Sequence, residues 1–174
     1  MPDATGLELV ARQLRDKLGD DAVVGTSYYR DQATVEVRAG AAHDALAYLH
    51  ADADEPYDVL ASLHGCDYYP EQPRLGVHYQ LLSRVRLERL GLKTRVSVEE
   101  PEVPSVVDLF PGANFQEREV YDFFGVIFTG HPDLRRILMP EDYEGHPQRR
   151  DFPIGGEPVL FTYNEHQTPR WYDD

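Results

Sequence analysis

Cysteine is nearly absent. The single Cys66 excludes an intrachain disulfide and a protein-only thiolate cage for an iron–sulfur cluster or structural zinc, each of which needs several thiolates. Long hydrophobic runs are missing too. Even the apolar stretch from Val120 to Phe128 is broken by Asp122 and Gly125, whereas a bilayer-spanning helix needs roughly 20 apolar residues. Lys and Arg number 17 against 31 Asp and Glu, and the resulting net charge of −14 repels phosphate backbones and anionic headgroups. A nucleic-acid partner is therefore not expected. No GxGxxG or Walker run follows a strand-like segment, which removes the usual nucleotide-cradling signals. The N-terminus, Met-Pro-Asp-Ala-Thr, lacks the basic and apolar regions of a secretory signal, so a cytoplasmic chain is expected.

What is present suffices for a core: 41% of the 174 residues are hydrophobic, enough for one domain with an appendage. Thr5 and Glu8 have the spacing of a capping box. Leu7, Val10, Leu14 and Leu18 recur at helical intervals up to Gly19, which predicts a helix over about 6–18. Runs from Ala22 to Tyr29 and Ala33 to Ala39 predict a hairpin turning at Arg30-Asp31-Gln32. Ala41 to Ala51 suits a second helix. Three strand-like runs follow near 57–69, 75–86 and 92–99, separated by Pro70-Glu71-Gln72-Pro73 and by a break at Glu88 to Gly91. Cys66 falls in the first of these and reads as a buried, inert thiol. The order α-β-β-α-β-β-β predicts an α+β fold, a two-layer sandwich with helices on one face of a mixed or antiparallel sheet.

Beyond Pro101 and Pro104 the character changes. Asn114 and Glu117 again have capping-box spacing, predicting a helix over 115–124 that ends at Gly125. Prolines at 132, 140, 147, 153, 158 and 169 forbid long helices and central strands, so the remainder is expected to be an extended arm. The organisation expected is an α+β domain over 1–100, a linker and helix over 101–130, and an arm over 131–174. Such an arm must wrap back over the domain or lie along another protein. Its apolar anchors, Leu134, Ile137, Leu138, Tyr143, Phe152, Ile154, Leu160 and Phe161, and its Arg135, Arg136, Arg149 and Arg150 favour docking on a partner's surface and carboxylates.

The densest constellation runs from Glu117 to Leu138. On a helix Arg118 and Asp122 stand at i and i+4 and are expected to pair. Glu117 and Glu119 point to different sides, which disfavours an acid–base pair and favours a solvated or ion-paired face. His131, Asp133, Glu144 and His146 are candidate metal ligands by type, but their spacing matches no metal motif and each histidine precedes a proline.

This run, Glu117-Arg118-Glu119-Val120-Tyr121-Asp122-Phe123-Phe124-Gly125 through Gly130-His131-Pro132-Asp133-Leu134-Arg135-Arg136-Ile137-Leu138, resembles the signature of the C subunit of the proton-translocating NADH:quinone oxidoreductase, bacterial complex I. The similarity continues through Gly145-His146-Pro147 and Arg149-Arg150-Asp151-Phe152-Pro153. The resemblance implies a peripheral-arm scaffold protein on the cytoplasmic side of the plasma membrane. It implies no catalytic residue, cofactor or metal on this chain, with FMN, iron–sulfur clusters and quinone held by partner subunits. The neighbours it implies are the hydrogenase-like subunit, the subunit carrying the terminal cluster and the ferredoxin-like subunit. It also marks Glu117, Arg118, Glu119, Asp122, His131, Pro132, Asp133, Arg135, Arg136, Arg149, Arg150 and Asp151 as signature or partner-binding positions. The equivalent subunit of a membrane-bound hydrogenase or of a ferredoxin-fed oxidoreductase remains open, as does, more remotely, a metal hydrolase.

Overall fold

Leu7, Val10, Ala11 and Leu14 form one apolar stripe at helical spacing, and all four are buried in the structure. They lie on helix α1 (Ala4–Leu18). The structure is a computed structural model that describes residues 4–53 and 56–153. Gly19, with φ of +101°, ends α1 in the left-handed region. Thr5 lies inside the helix rather than ahead of it. Glu8, the other half of the expected capping box, instead accepts the Thr26 hydroxyl at 2.5 Å.

The chain continues as β1 (Val23–Tyr29) and β2 (Gln32–Val37), then a helical stretch centred on α2 (Ala42–Ala47). Next come β3 (Val59–Asp67), β4 (Leu75–Ser83) and β5 (Glu88–Val96). Tyr29 pairs with Gln32, so only Arg30 and Asp31 form the first turn. Both have positive φ, the pattern of a type I′ hairpin. The five strands form one mixed sheet in the order β1-β2-β5-β4-β3. Only β2 and β5 run parallel; the other neighbours are antiparallel.

The expected break at Glu88 to Gly91 is not found: those residues begin β5, and the turn lies before them. Gly91 sits there for packing. A Cβ on it would stand 2.7 Å from the Thr34 Oγ1 of the neighbouring strand, and such close approach is a second reason for glycine in a strand.

Alternation decides which face is covered. Val35, Val37, Leu90, Leu92, Val77, Tyr79, Leu81 and Leu63 are buried with α1 and α2 in one core. The opposite face carries Glu36, Lys93, Arg95, His64 and His78, with Lys93 bridging Glu36 at 2.6 Å. Cys66 also lies off the core, half-buried, and burial pushes its thiol pKa up. After β5 come a short β6 (Glu102–Pro104), helix α3 (Ala113–Phe124) and β7 (Ile127–Thr129). β6 and β7 pair in parallel as a separate two-stranded sheet. α3 packs on the core face of β3, where a Cβ on Gly65 would collide with the Phe124 ring.

Candidate functional site

Helix α3 does not begin with the expected box. Its N-cap is Gly112, without a side-chain capping bond, and Asn114 is already helical. The chain enters from a turn in which the Phe110 amide donates to the Val106 carbonyl at 2.8 Å and that of Ala113 to the Phe110 carbonyl at 2.8 Å. Glu117 therefore turns inward instead of back. It is fully buried; Oε2 accepts the Ser105 hydroxyl at 2.7 Å and Oε1 the Val106 amide at 2.7 Å. Burial drives its pKa up to about 7, against those two donors and with help from the Asp108 charge. The expectation of a solvated or ion-paired face fails at this residue. Glu119 is exposed.

Arg118 and Asp122 do not pair. Arg118 donates to the Arg135 and Arg136 carbonyls at 3.1 and 3.2 Å. Asp122 is buried and takes Arg136 NH1 on Oδ1 at 2.7 Å. On Oδ2 it takes the backbone amides of Ile137, Leu138 and Met139 at 3.0, 2.8 and 2.9 Å. Three successive amides converging on one oxygen form an anion nest. Local spacing favours Arg118, but a carboxylate with several fixed donors outcompetes an exposed i, i+4 pair.

The rest of the signature caps the C-terminal end of α3. A helix leaves its last carbonyls unpartnered and negatively poled, and Gly125, with φ of +72°, turns the chain away there. Arg136 NH1 and His146 Nδ1 donate to the Asp122 carbonyl at 3.1 and 3.0 Å. The Gln148 amide donates to the Phe123 carbonyl at 3.2 Å, and Arg149 Nε to the Phe124 carbonyl at 2.7 Å. Two guanidinium groups thus lie at the negative pole. Arg136 NH2 also ties the Gly145 carbonyl at 2.8 Å, closing the 136–145 loop.

A second fastening joins this segment to the sheet. Arg74, between β3 and β4, donates to Asp67 at 2.8 and 2.6 Å and to Asp151 at 2.7 and 2.6 Å. The Arg150 amide adds a bond to Asp67 at 2.7 Å, while its guanidinium reaches the Tyr69 carbonyl at 3.2 Å. Arg74 first, and the Arg150 and Tyr69 amides after it, hold the Asp67 carboxyl far below the usual range despite burial.

The arm, as far as Pro153, therefore wraps back over the chain's own α3 and β3. Its arginines are used within the chain: Arg135 bonds Asp133 at 2.9 Å, and Arg136, Arg149 and Arg150 are engaged as above. The extended course expected for 131–153 is therefore not found: this stretch lies along its own domain. Residues 154–174, with the expected anchors Ile154, Leu160 and Phe161, lie outside the described residues. Sequence reading missed Ser105, Asp67 and Arg74: Ser105 meets Glu117 12 positions away, Asp67 and Arg74 face each other across the turn between β3 and β4, 7 positions apart, and their further partners Arg150 and Asp151 lie 83 and 77 positions away, so no local pattern announces them.

His131 lies under α3 with its side chain fully buried. Nδ1 accepts the Asp133 amide at 3.0 Å and Nε2 donates to the Asn114 carbonyl at 3.2 Å. Pro132 follows on the surface, beside an open cleft of about 510 Å³ lined also by His43, Ser105, Asp108 and Thr129. The imagined metal set is not assembled. Both ring nitrogens of His131 are engaged and His146 faces a backbone carbonyl. Among the described residues no group of three or more His, Cys, Asp or Glu is placed to hold a metal.

Residues 35–158 match the family model of the respiratory-chain NADH dehydrogenase 30 kDa subunit. A protein of Roseiflexus castenholzii, named as the C subunit of NADH-quinone oxidoreductase, is 48% identical over 145 residues, 83% of each chain. A like-named protein of another Roseiflexus species is 46% identical over 156 residues, 90% of this chain and 89% of that one. Among solved structures, the trypsin-resistant fragment of Nqo5 has a TM-score of 0.61 and 33% identity, covering 74% of this chain and 98% of that fragment. A chain of the membrane-bound sulfane sulfur reductase, an archaeal respiratory complex, has a TM-score of 0.67 at 24% identity over 84% of this chain and 85% of that one; this likeness shows the fold alone. With the signature folded as described and the family model spanning most of its length, this chain belongs to the family of the 30 kDa subunit of respiratory-chain NADH dehydrogenase.

Proposed function

We propose that the chain is a non-catalytic scaffold subunit in the peripheral arm of an NADH:quinone oxidoreductase, supporting electron transfer from NADH to quinone coupled to proton translocation. The observation that carries this reading is the family match over residues 35–158, together with relatives near 48% identity that bear the name of that oxidoreductase's C subunit. The physical character of the chain supports it. Several of the signature's charged groups are spent on folding: Arg136 and Arg149 cap a helix, Asp122 holds an anion nest, and Arg150 and Asp151 bind the segment to the sheet. That arrangement gives a rigid surface for neighbours rather than a reaction centre.

FMN, the iron–sulfur clusters and quinone belong in this reading to partner subunits; one thiol cannot hold a cluster. The expected neighbours are the hydrogenase-like subunit, the terminal-cluster subunit and the ferredoxin-like subunit, on the cytoplasmic side of the membrane. No helix among the described residues is long and apolar enough to cross a bilayer, so attachment through neighbours fits. Recovery of a tagged chain from detergent-solubilised membranes tests the assignment. Co-elution with those three neighbours and with NADH-dependent quinone reduction is expected. Recovery of the chain without them overturns the proposal.

A further inference from the structure

The carboxyl of Glu117 is shut inside the fold, and among the described residues its hydrogen-bond donors are both neutral. Ser105 and the Val106 amide are its donors. The His131 ring lies close by, with Nε2 4.0 Å from Oε2. That ring does not neutralise the carboxylate: Nδ1 accepts a hydrogen bond from the Asp133 amide and must carry a lone pair, so the proton sits on Nε2, directed at the Asn114 carbonyl. From the sheet, the buried Tyr79 hydroxyl has no hydrogen-bond partner among the described residues. Its pKa is driven up by burial and by the Glu117 charge. On the 105–110 segment the charged group is Asp108, an anion paired with His43 at 2.9 Å. On α3 itself, the neighbouring Arg118 is spent on the carbonyls of 135 and 136.

Among the described residues a carboxylate so placed meets no cationic hydrogen-bond donor, while a protonated carboxyl has natural partners. Its hydroxyl donates to Ser105 Oγ, and its carbonyl oxygen still accepts the Val106 amide. Ser105 also lines the open cleft with Asp108, Thr129 and Pro132, so the residue that hydrogen-bonds the buried carboxyl itself borders that cleft.

We propose that Glu117 is a buried proton-binding site that exchanges its proton with solvent in the cleft through the Ser105 hydroxyl. In the exchange the Glu117 Oε2–H bond breaks as Ser105 Oγ takes that proton. The serine's own hydrogen passes to a water in the cleft, leaving a carboxylate, an unchanged serine and a hydronium ion. Ionisation leaves a buried anion beside Asp108, so the charge state of Glu117 is coupled to the packing of the 105–110 turn against α3.

The experiment is a carboxyl-carbon NMR titration of the full chain labelled at glutamate. One resonance is expected to titrate near 7 instead of the ordinary 4.5. It disappears in Glu117→Gln, whose amide reproduces the hydrogen bonds of the protonated acid. In Ser105→Ala the midpoint rises, since the anion loses a donor, and exchange broadening of the resonance diminishes. Glutamates that all titrate in the ordinary range overturn the proposal, as does a shifted resonance that survives Glu117→Gln. An unmoved midpoint and unchanged broadening in Ser105→Ala overturn the route through the serine. Should Glu117→Gln fail to fold, the wild-type and Ser105→Ala titrations decide alone. The pH dependence of unfolding gives an independent reading. Because the folded state keeps the proton to higher pH than the unfolded chain, the unfolding constant rises by up to about tenfold per pH unit between about 4.5 and 7. This segment of the pH profile vanishes in Glu117→Gln.

Discussion

Asp122 and Arg136 meet at 2.7 Å across the C-terminal end of α3, and the same carboxylate holds the backbone amides of the three residues that follow Arg136. One side chain thereby shapes a loop 14 to 17 positions downstream. Removing one member of a buried ion pair leaves the other uncompensated, so Asp122→Ala is expected to cost about 3–5 kcal/mol in urea unfolding. Arg118→Ala, which removes hydrogen bonds from a charged donor to two carbonyls, is expected to cost less, about 1.5–3 kcal/mol. Burial alone raises the Asp122 pKa, but the Met139 amide, Arg136 and the other two amides outweigh it and the net shift is downward. A depressed carboxylate contributes stability that is present above its unfolded value near 3.8 and is lost as pH falls through the folded value. Acid unfolding of Asp122→Asn should lack that contribution. Equal stabilities of Asp122→Ala and Arg118→Ala would contradict the nest.

Gly125 is expected to be intolerant of any side chain. Its φ of +72° already penalises an L residue by about 1–2 kcal/mol. A Cβ there would also lie 2.5 Å from both Arg149 NH2 and His146 Nε2, the groups that cap α3. Gly125→Ala should lower the melting temperature and, by displacing Arg149, leave the Phe124 carbonyl unpaired. Gly112→Ala is the control, because a Cβ there meets nothing within 4 Å and φ is −67°. Similar melting temperatures for the two variants would show that the 146–149 segment does not depend on this close approach.

Much of the fold is legible in the sequence where short-range pattern and long-range packing agree. The α1 stripe is an example: helical spacing alone puts Leu7, Val10 and Leu14 on one face, and the core uses that face. Legibility ends where a residue's partner is remote. Asn114 and Glu117 have the letters of a capping box, yet Glu117 finds Ser105 and Val106 because the preceding turn already supplies helical geometry. Arg118 and Asp122 have ideal spacing, yet each has a better partner in the 135–139 loop. Gly91 reads as a turn glycine and proves to be a packing glycine. Prolines 132, 140 and 147 account for the absence of helix or strand in 131–153, but they do not say where that chain goes. Its course is set by Asp67, Arg74 and the end of α3: Gly125 marks where that helix stops, but nothing local says that residues 136–149 return to cap it or that Asp67 and Arg74 hold 150–151.

The Arg74 bridge gives the third expectation. Arg74 holds two carboxylates at once and is buried, so Arg74→Ala leaves Asp67 with fewer donors inside the fold and frees Asp151. Loss of the partner of a buried charge costs about 3–5 kcal/mol. Here the loss should be local first, as release of residues 149–153 from β3. Limited proteolysis is expected to cut the variant within 140–153 faster than wild type, before global unfolding. Asp151→Ala should give a milder version, since that carboxylate is itself exposed. Unchanged cleavage in Arg74→Ala would mean that the helix cap alone retains the segment.

The last expectation separates folding from docking. Truncation after Phe128 removes every donor to Asp122 from the 136–139 loop and the caps on the Asp122, Phe123 and Phe124 carbonyls, and strips His131 from beneath α3. Such a chain is expected to lose its cooperative unfolding transition. It therefore cannot report on partner binding, because any loss of assembly would follow from the loss of fold. Truncation after Pro153 keeps all of those contacts and removes only 154–174, where Ile154, Leu160 and Phe161 carry the apolar character of a docking segment. That shorter deletion should unfold within about 1 kcal/mol of the full chain and show weaker recovery of the hydrogenase-like subunit from solubilised membranes. Stable folding with undiminished recovery would place the partner surface elsewhere, on α3 or on the helix-free face of the sheet. Instability of the 1–153 chain would instead make residues 154–174 part of the fold.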